Sequence, residues 1–210
     1  MSDLLPLFPL PNVVLFPNVF LPLHIFEPRY REMVADALGG DRMIGMALLK
    51  PGWDHDYEGR PAVYPIGCTG LITHAERLDD GRYNIVLRGV ERFRIVQEDQ
   101  SRSYRRAVVE AVVEGRGSAD DRIAVQHQRA KLETLLAPTI ERAGADLAIP
   151  SAMADEDLVH ALAQYLDLEP IEKQALLEKT SLRSRAESLV ELLEMKMMTS
   201  RASGPPHLVH

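Results

Sequence analysis

The sequence predicts an α+β protein, in which a small β-barrel with one helix is followed by a C-terminal α-helical bundle. Three observations predict this arrangement. The N-terminal stretch LPLFPLPNVVLFPNVFLPLHIFEPRYREMV is apolar and interrupted by six prolines. Residues 63–113 carry continuous β-type patterning, and everything beyond residues 115–118 has helical periodicity. Short strands with a proline-broken start favour a closed barrel over an open sheet.

The N-terminal stretch does not fit a membrane helix, because its prolines would each remove a backbone donor and clash with the preceding helical turn. It does not fit a signal peptide either, since Asp3 is present and no Lys or Arg precedes Arg29. Proline is tolerated at strand starts, edges and turns. We therefore expect strands or extended segments at Leu4–Phe8, Val13–Leu15 and Phe20–Phe26.

One helix interrupts the β region. Pro28 suits a first helical turn and Gly39–Gly40 suits a helix end, so the segment between them is predicted to be helical. The next strand is RMIGMALLK, and the following loop PGWDHDYEGRPA contains two aromatic residues, Trp53 and Tyr57.

The remaining strands are VYPIGCTGLITHAERL, RYNIVLRGVERFRIVQED and YRRAVVEAVVE. The Asp-Gly pair at 80–81 predicts a hairpin between the first two. Alternation slips near Gly89, which predicts a bulge or corner there. These segments bring the predicted total to about six strands.

The predicted domains are a β-barrel at 1–115, a helical bundle at 119–199 and a flexible tail at 200–210. In the last helix, one apolar stripe has helical spacing. It comprises Leu182, Ala186, Leu189, Leu193 and Met197.

Composition excludes several functions. A net charge of −7 disfavours non-specific nucleic-acid binding. The single cysteine, Cys68, excludes an intrachain disulfide and a cysteine-based zinc site, and it fits the reducing cytoplasm. The seven histidines form no recognisable metal motif, and Asp54-His55-Asp56 is interpreted as a solvated loop. We therefore predict no catalytic residue, no metal site and no cofactor.

Three stretches carry a family resemblance. PLHIFEPRY leads from proline-spaced apolar residues into a helix, IGCTGLITHAERLDDGRYNIVLRGVERFRI follows, and LEPIEKQALLEKTSLRSRAESLVELLE comes last. In this order they resemble the N-terminal substrate-binding domain of Lon proteases, over roughly residues 4–195. The resemblance implies a PUA-like barrel followed by a helical bundle, and a role in recognising unfolded or tagged polypeptides.

The chain also departs from full-length Lon proteases. It contains no G-x-x-x-x-G-K-[ST] phosphate loop, and too few residues follow the helical region for a protease domain. We therefore expect a stand-alone, non-enzymatic Lon-domain protein, without ATPase or protease modules.

The predicted ligands are unfolded or hydrophobic polypeptide segments, with no membrane partner. A role as a protease adaptor or minimal holdase, and self-association through the same surface, stay open. RNA binding, by analogy with other PUA-like proteins, is the alternative, and an enzyme using Cys68 or the Asp54–Asp56 loop ranks last. Apolar residues in turns and polar loops are the candidates for the binding surface. They are Phe16, Phe20, Leu21, Trp53 and Tyr57.

Two further sets of charged residues have structural interpretations. Glu27 either serves the free N–H groups of the first helix or pairs with an arginine such as Arg29. Arg92 is expected to form a structural ion pair.

Overall fold

A computed structural model describes residues 4–56, 59–115, 117–143, 149–150 and 152–202. The strands are β1 Leu5–Leu10, β2 Phe20–Ile25, β3 Met43–Leu48, β4 Ile66–Arg77, β5 Tyr83–Asp99 and β6 Arg105–Ala111. The helices are α1 Pro28–Leu38, α2 Ala119–Ala143, α3 Asp155–Tyr165, α4 Pro170–Leu177 and α5 Leu182–Ala202, with one 3-10 turn at Trp53–Asp56. Val13–Leu15 belongs to no strand.

The strands form one sheet in the order β2-β5-β4-β3-β1-β6, and β5 also pairs with β6. This extra pairing closes the sheet into a small barrel. Only β1 and β3 run parallel among the pairings of the described strands. The α+β class predicted from the sequence is confirmed.

β5 is the longest strand, and it bends at Gly89. Its register with β4 shifts between the Cys68↔Arg92 and Gly70↔Gly89 pairs, so the predicted irregularity is confirmed. A Cβ atom on Gly89 would lie 2.0 Å from the carbonyl oxygen of Phe16. Glycine is therefore required, because the backbone of the 16–17 turn crosses β5 at this point.

Helix α1 forms where the sequence predicts it. Pro28 occupies its first turn, and its buried face consists of Tyr30, Met33, Val34 and Ala37. Tyr30 packs on Phe8 of β1 with ring centroids 4.6 Å apart. This packing anchors the helix to the strand.

By backbone contacts the chain divides into two compact units. The first contains the residues up to 113 and residues 160–178, and the second contains residues 114–159 and those from 179 onward. Within the first unit, Gln164 accepts a hydrogen bond from the backbone N–H of Phe16 (3.2 Å), and Gln174 donates one to the carbonyl of Ile66 (3.0 Å). The domain boundaries at 1–115 and 119–199 remain a prediction; the contact-based division instead groups 160–178 with the sheet.

The second unit is helical. The predicted stripe of α5 is confirmed at its centre, where Ala186, Leu189 and Leu193 are buried. Arg185, fully buried, donates to the Glu114 carboxylate and to the carbonyl of Lys179. Across the described ranges, no helix has both the length and the apolar character needed to cross a bilayer. Within the predicted tail at 200–210, residues 203–210 lie outside the described part of the chain.

Candidate functional site

One face of β2 is exposed to solvent. Phe20, Pro22 and His24 alternate along the strand as exposed residues, while Leu21, Leu23 and Ile25 are half-buried or buried. Alternation follows from the strand geometry, in which successive side chains point to opposite faces of the sheet. Phe20 is 51% exposed, which is high for a large aromatic residue.

β2 is also the edge of the sheet on this side. It pairs with β5 from Phe20↔Arg88 to Ile25↔Tyr83, and it has no second partner strand among the described residues. Pro22 lies mid-strand, where it supplies no backbone donor. Proline is characteristic of strand edges because it prevents another chain from extending the sheet.

Tyr165, the last residue of α3, lies at this edge. Its hydroxyl donates to the carbonyl oxygen of Phe20 over 2.9 Å, and its side chain is 66% exposed. The hydrogen bond therefore brings together two exposed aromatic residues that are 145 positions apart. We call Phe20, Pro22 and Tyr165 the β2 edge patch.

Sequence analysis did not identify Tyr165. Helical spacing does not single it out, because Tyr165 follows buried Leu158 by seven residues and so lies on the same side of α3. Its proximity to Phe20 depends on the tertiary fold.

The far end of β2 is polar. His24 hydrogen-bonds through Nδ1 to Oδ1 of Asn84 (2.8 Å) and through Nε2 with Arg82 (3.3 Å). Phe26, 60% exposed, stacks on His24 with a centroid distance of 6.3 Å. These contacts hold the exposed imidazole of His24 in a polar network.

The structure describes four of the five residues predicted to bind polypeptide, and they differ in exposure. Phe16 is fully buried, with its ring tilted by 36° relative to that of His160, so the prediction that Phe16 faces a partner is wrong for this structure. The physical reason is the turn that follows it, whose Asn18 has a φ of 62° and donates to the carbonyl of Gly89. This turn directs Phe16 into the core. Leu21 is half-buried on the opposite face of β2 from Phe20.

One of the two loop aromatic residues is described. Trp53 is half-buried at the start of the 3-10 turn, and Tyr57 lies outside the described residues. Asp54 and His55 of the same turn are exposed. Nowhere in the described ranges do three potential His, Cys, Asp or Glu ligands gather as a metal site would require.

Cys68 lies in β4 with no exposed surface. Burial raises the pKa of its thiol to about 12. The thiolate is the nucleophilic form, so this environment keeps Cys68 unreactive at neutral pH. The enzymatic alternative based on Cys68 therefore has no support from its surroundings.

The charged residues near α1 and β5 have structural roles. Glu27 makes no side-chain cap and instead pairs with Arg29 at 2.9 Å, which selects one of its two predicted roles. Arg92 is buried and donates to the carbonyl of Leu177, the last residue of α4, at 2.8 Å. Cations stabilise helix C-termini, so Arg92 supports the attachment of α4.

The family described as the ATP-dependent protease La (LON) substrate-binding domain matches residues 4–195. This chain belongs to that family. The Lon-type fold predicted from the PLHIFEPRY region is thereby confirmed.

The relatives are full-length proteases. Lon protease 2 of Myxococcus xanthus is 28% identical over 92% of this chain and 24% of its own length. Lon protease of Roseiflexus castenholzii is 30% identical over 91% of this chain and 24% of its own length. The chain thus spans about a quarter of the length of the curated relatives it matches.

Solved structures share the fold. The N-terminal domain of Mycobacterium avium complex Lon protease superposes with a TM-score of 0.70 at 17% identity, covering 91% of this chain and 98% of that one. A Lon N-terminal domain protein from Xanthomonas campestris gives a TM-score of 0.60 at 22% identity, with coverages of 90% and 98%. These two structures share the α+β fold of this chain.

Proposed function

We propose that this Lon-type domain binds unfolded polypeptide segments through the β2 edge patch. The observation that carries the proposal is the hydrogen bond from Tyr165 to Phe20, because it joins two large aromatic side chains that are 66% and 51% exposed. Exposed apolar clusters on otherwise well-packed proteins commonly mark interaction sites. Membership of a substrate-binding domain family supports the same role.

The proposed mechanism is burial of partner side chains without a covalent step. A partner residue placed between Phe20 and Tyr165 would remove apolar surface from water, worth about 25 cal/mol per Å². Pro22 restricts backbone pairing at the edge, so recognition would depend on side chains rather than on the partner's main-chain sequence. This suits a module that accepts many different unfolded segments.

Binding of a single short segment is expected to be weak. Ordering a flexible peptide offsets much of the gain from burial, so a Kd of roughly micromolar or weaker is expected. Such an affinity suits an adaptor that passes polypeptides to a protease, or a minimal holdase. Several segments of one unfolded chain would strengthen capture through effective concentration.

The experiment uses one defined unfolded chain, reduced and carboxymethylated α-lactalbumin, with folded α-lactalbumin as its counterpart. Binding is measured by fluorescence anisotropy for the wild type, Phe20→Ser and Tyr165→Ser. We expect the wild type to bind only the unfolded form, and each variant to bind it less tightly. Circular dichroism checks that the variants stay folded.

The matched control is Phe26→Ser. Phe26 is of the same residue type and is 60% exposed, but it lies at the other end of β2 beside His24. It should retain binding if the patch is the contact. Equal binding of the unfolded chain by wild type, Phe20→Ser and Tyr165→Ser would contradict the proposal. Salt-sensitive retention of RNA in place of the unfolded chain would favour the nucleic-acid alternative instead.

A further inference from the structure

A second concave site in the first unit is lined by three arginines. Arg29 comes from the start of α1, Arg60 from the loop before β4, and Arg105 from the start of β6. Apolar side chains, including Pro9 and Leu49, form another part of the lining. We call this site the arginine pocket. Three guanidinium groups in one pocket are notable in a chain of net charge −7.

Arg105 is the most deeply placed of the three. It is 5% exposed, donates to the carbonyl of Pro61 and lies 3.5 Å from a carboxylate oxygen of Glu98. Burial lowers the pKa of Arg105, and the positive charges of Arg60 and Arg29 lower it further, while Glu98 acts in the opposite direction. The three cations therefore repel one another within a partly desolvated space, and an anion placed among them would relieve that repulsion.

Two of the three arginines have an ion-pair partner among the described residues. Glu27 is the ion-pair partner of Arg29 (2.9 Å), and Glu98 is that of Arg105 (3.5 Å). Arg60 donates to two backbone carbonyls, those of Asp99 (3.3 Å) and Arg102 (3.0 Å). No carboxylate in the described part of the chain lies within ion-pair distance of Arg60. Arg60 is therefore the pocket arginine whose described contacts are all to backbone carbonyls.

Two described carboxylates near the pocket, those of Asp99 and Glu32, are already engaged. The side chain of Asp99 pairs with Arg106 at 2.7 Å. Glu32 accepts a hydrogen bond from the hydroxyl of Ser103 at 2.6 Å. Arg60 therefore fixes the β5–β6 connection through its carbonyl bonds while its charge stays available to a ligand.

We propose that the arginine pocket binds a carboxylate of a bound polypeptide, either the chain-terminal carboxylate or an Asp or Glu side chain. This inference rests on the proposed function, since it names a second contact for the same class of ligand. Arg60 would supply the charge-assisted contact, because its described partners are backbone carbonyls and not carboxylates. Arginine forks suit planar carboxylates, and the apolar lining from Pro9 and Leu49 can receive the adjacent side chain.

The test uses two labelled peptides of Ser, Ala, Leu and Phe that differ only at the C-terminus, one a free acid and one an amide. A third peptide is amidated and carries one internal Glu. Anisotropy with the wild-type protein should show the free acid or the Glu peptide binding about tenfold more tightly than the plain amide, as one charge-assisted contact predicts. Tighter binding of the free acid identifies the chain-terminal carboxylate as the ligand, and tighter binding of the Glu peptide identifies an acidic side chain.

The variants separate this site from the β2 edge patch. Arg60→Gln should abolish the preference for the carboxylate and leave amide binding unchanged. Phe20→Ser should weaken all three peptides by the same factor. Arg94→Gln removes an exposed arginine elsewhere in β5 and is the charge-matched control, expected to behave as wild type.

Failure of the pocket and failure of the proposed function give different results. Equal and measurable binding of all three peptides by the wild type overturns the pocket proposal and leaves polypeptide binding intact. If no peptide binds, N-acetyl-leucine and its amide test the pocket directly by thermal unfolding. A rise in Tm with the acid alone, lost in Arg60→Gln, supports the pocket, and identical curves overturn it. Tighter binding of inorganic phosphate than of N-acetyl-leucine would also overturn it.

Discussion

Phe16 and Phe20 lie four residues apart, and the turn at Pro17–Asn18 directs one side chain into the core while the other is 51% exposed. Phe16 contacts the helical segment 160–178 through its backbone N–H and its ring. The carbonyl of Phe20 accepts a hydrogen bond from Tyr165 of the same segment. The comparison teaches that a single aromatic-rich stretch can supply both a structural anchor and a candidate contact surface.

The largest effect is expected at Gly89, where the buried side of the turn meets β5. Gly89→Ala would place a Cβ 2.0 Å from the carbonyl oxygen of Phe16, and backbone atoms cannot move aside as a flexible side chain can. We expect a loss of more than about 4 kcal/mol in the free energy of unfolding, among the largest for single substitutions. Urea denaturation measures it. Gly115→Ala, at a position with nothing within 4 Å, should change stability little.

Phe16→Ala should have the next largest effect. Removing a fully buried aromatic side chain costs about 3–5 kcal/mol through lost burial and the cavity left behind. Phe20→Ala should stay within about 0.5 kcal/mol of wild type, because its ring is largely in solvent. If Phe16→Ala and Phe20→Ala destabilise the protein equally, Phe20 is not the exposed, non-structural residue that we describe.

These residues show how much of the fold and of the candidate site could be predicted from the sequence. Alternation and the register slip identified the bulge near Gly89, because both are local signals. The sequence could not predict that Phe16 is buried and Phe20 exposed, because burial depends on which distant segment packs against each residue. Tyr165, Arg60 and Arg105 likewise come from distant parts of the chain. No local pattern says that Tyr165 meets β2 or that three arginines share one pocket.

The stability of the buried core should also depend on pH, through Cys68. The pKa of Cys68 is raised from 9.0 to about 12 by burial, so the native state holds its proton where the unfolded state has lost it. This contribution to stability is complete below pH 9 and decreases as pH rises toward 12. By pH 10 the loss from Cys68 is about 1.4 kcal/mol.

Urea denaturation at pH 7 and pH 10 measures this loss, with Cys68→Ala as the comparison. The variant should lose about 1.4 kcal/mol less than wild type between the two pH values. Tyr104, whose pKa burial and the Asp36 carboxylate raise to about 12, adds to the background in both proteins above pH 10. Identical pH dependence of the two proteins would mean that the Cys68 thiol ionises normally.

The smallest expected effect is the loss of binding affinity on substitution of the exposed Phe20. Phe20→Ser should weaken binding of unfolded α-lactalbumin about five- to tenfold, or about 1 kcal/mol, since one partly exposed aromatic residue contributes modestly to a weak interface. Isothermal titration gives the affinity. A change in stability as large as that of Phe16→Ala would show that Phe20 acts through the core instead.

The grouping of residues 160–178 with the sheet has a consequence for how the protein is made. The backbone of Phe16 and the carbonyl of Ile66 find their partners in Gln164 and Gln174, which the ribosome adds long after the last strand. During synthesis the strands emerge from the ribosome first. The backbone groups of Phe16 and Ile66 then lack these partners until α4 has left the exit tunnel. A nascent chain arrested just after residue 113 should therefore be digested by protease more readily than one arrested beyond α4.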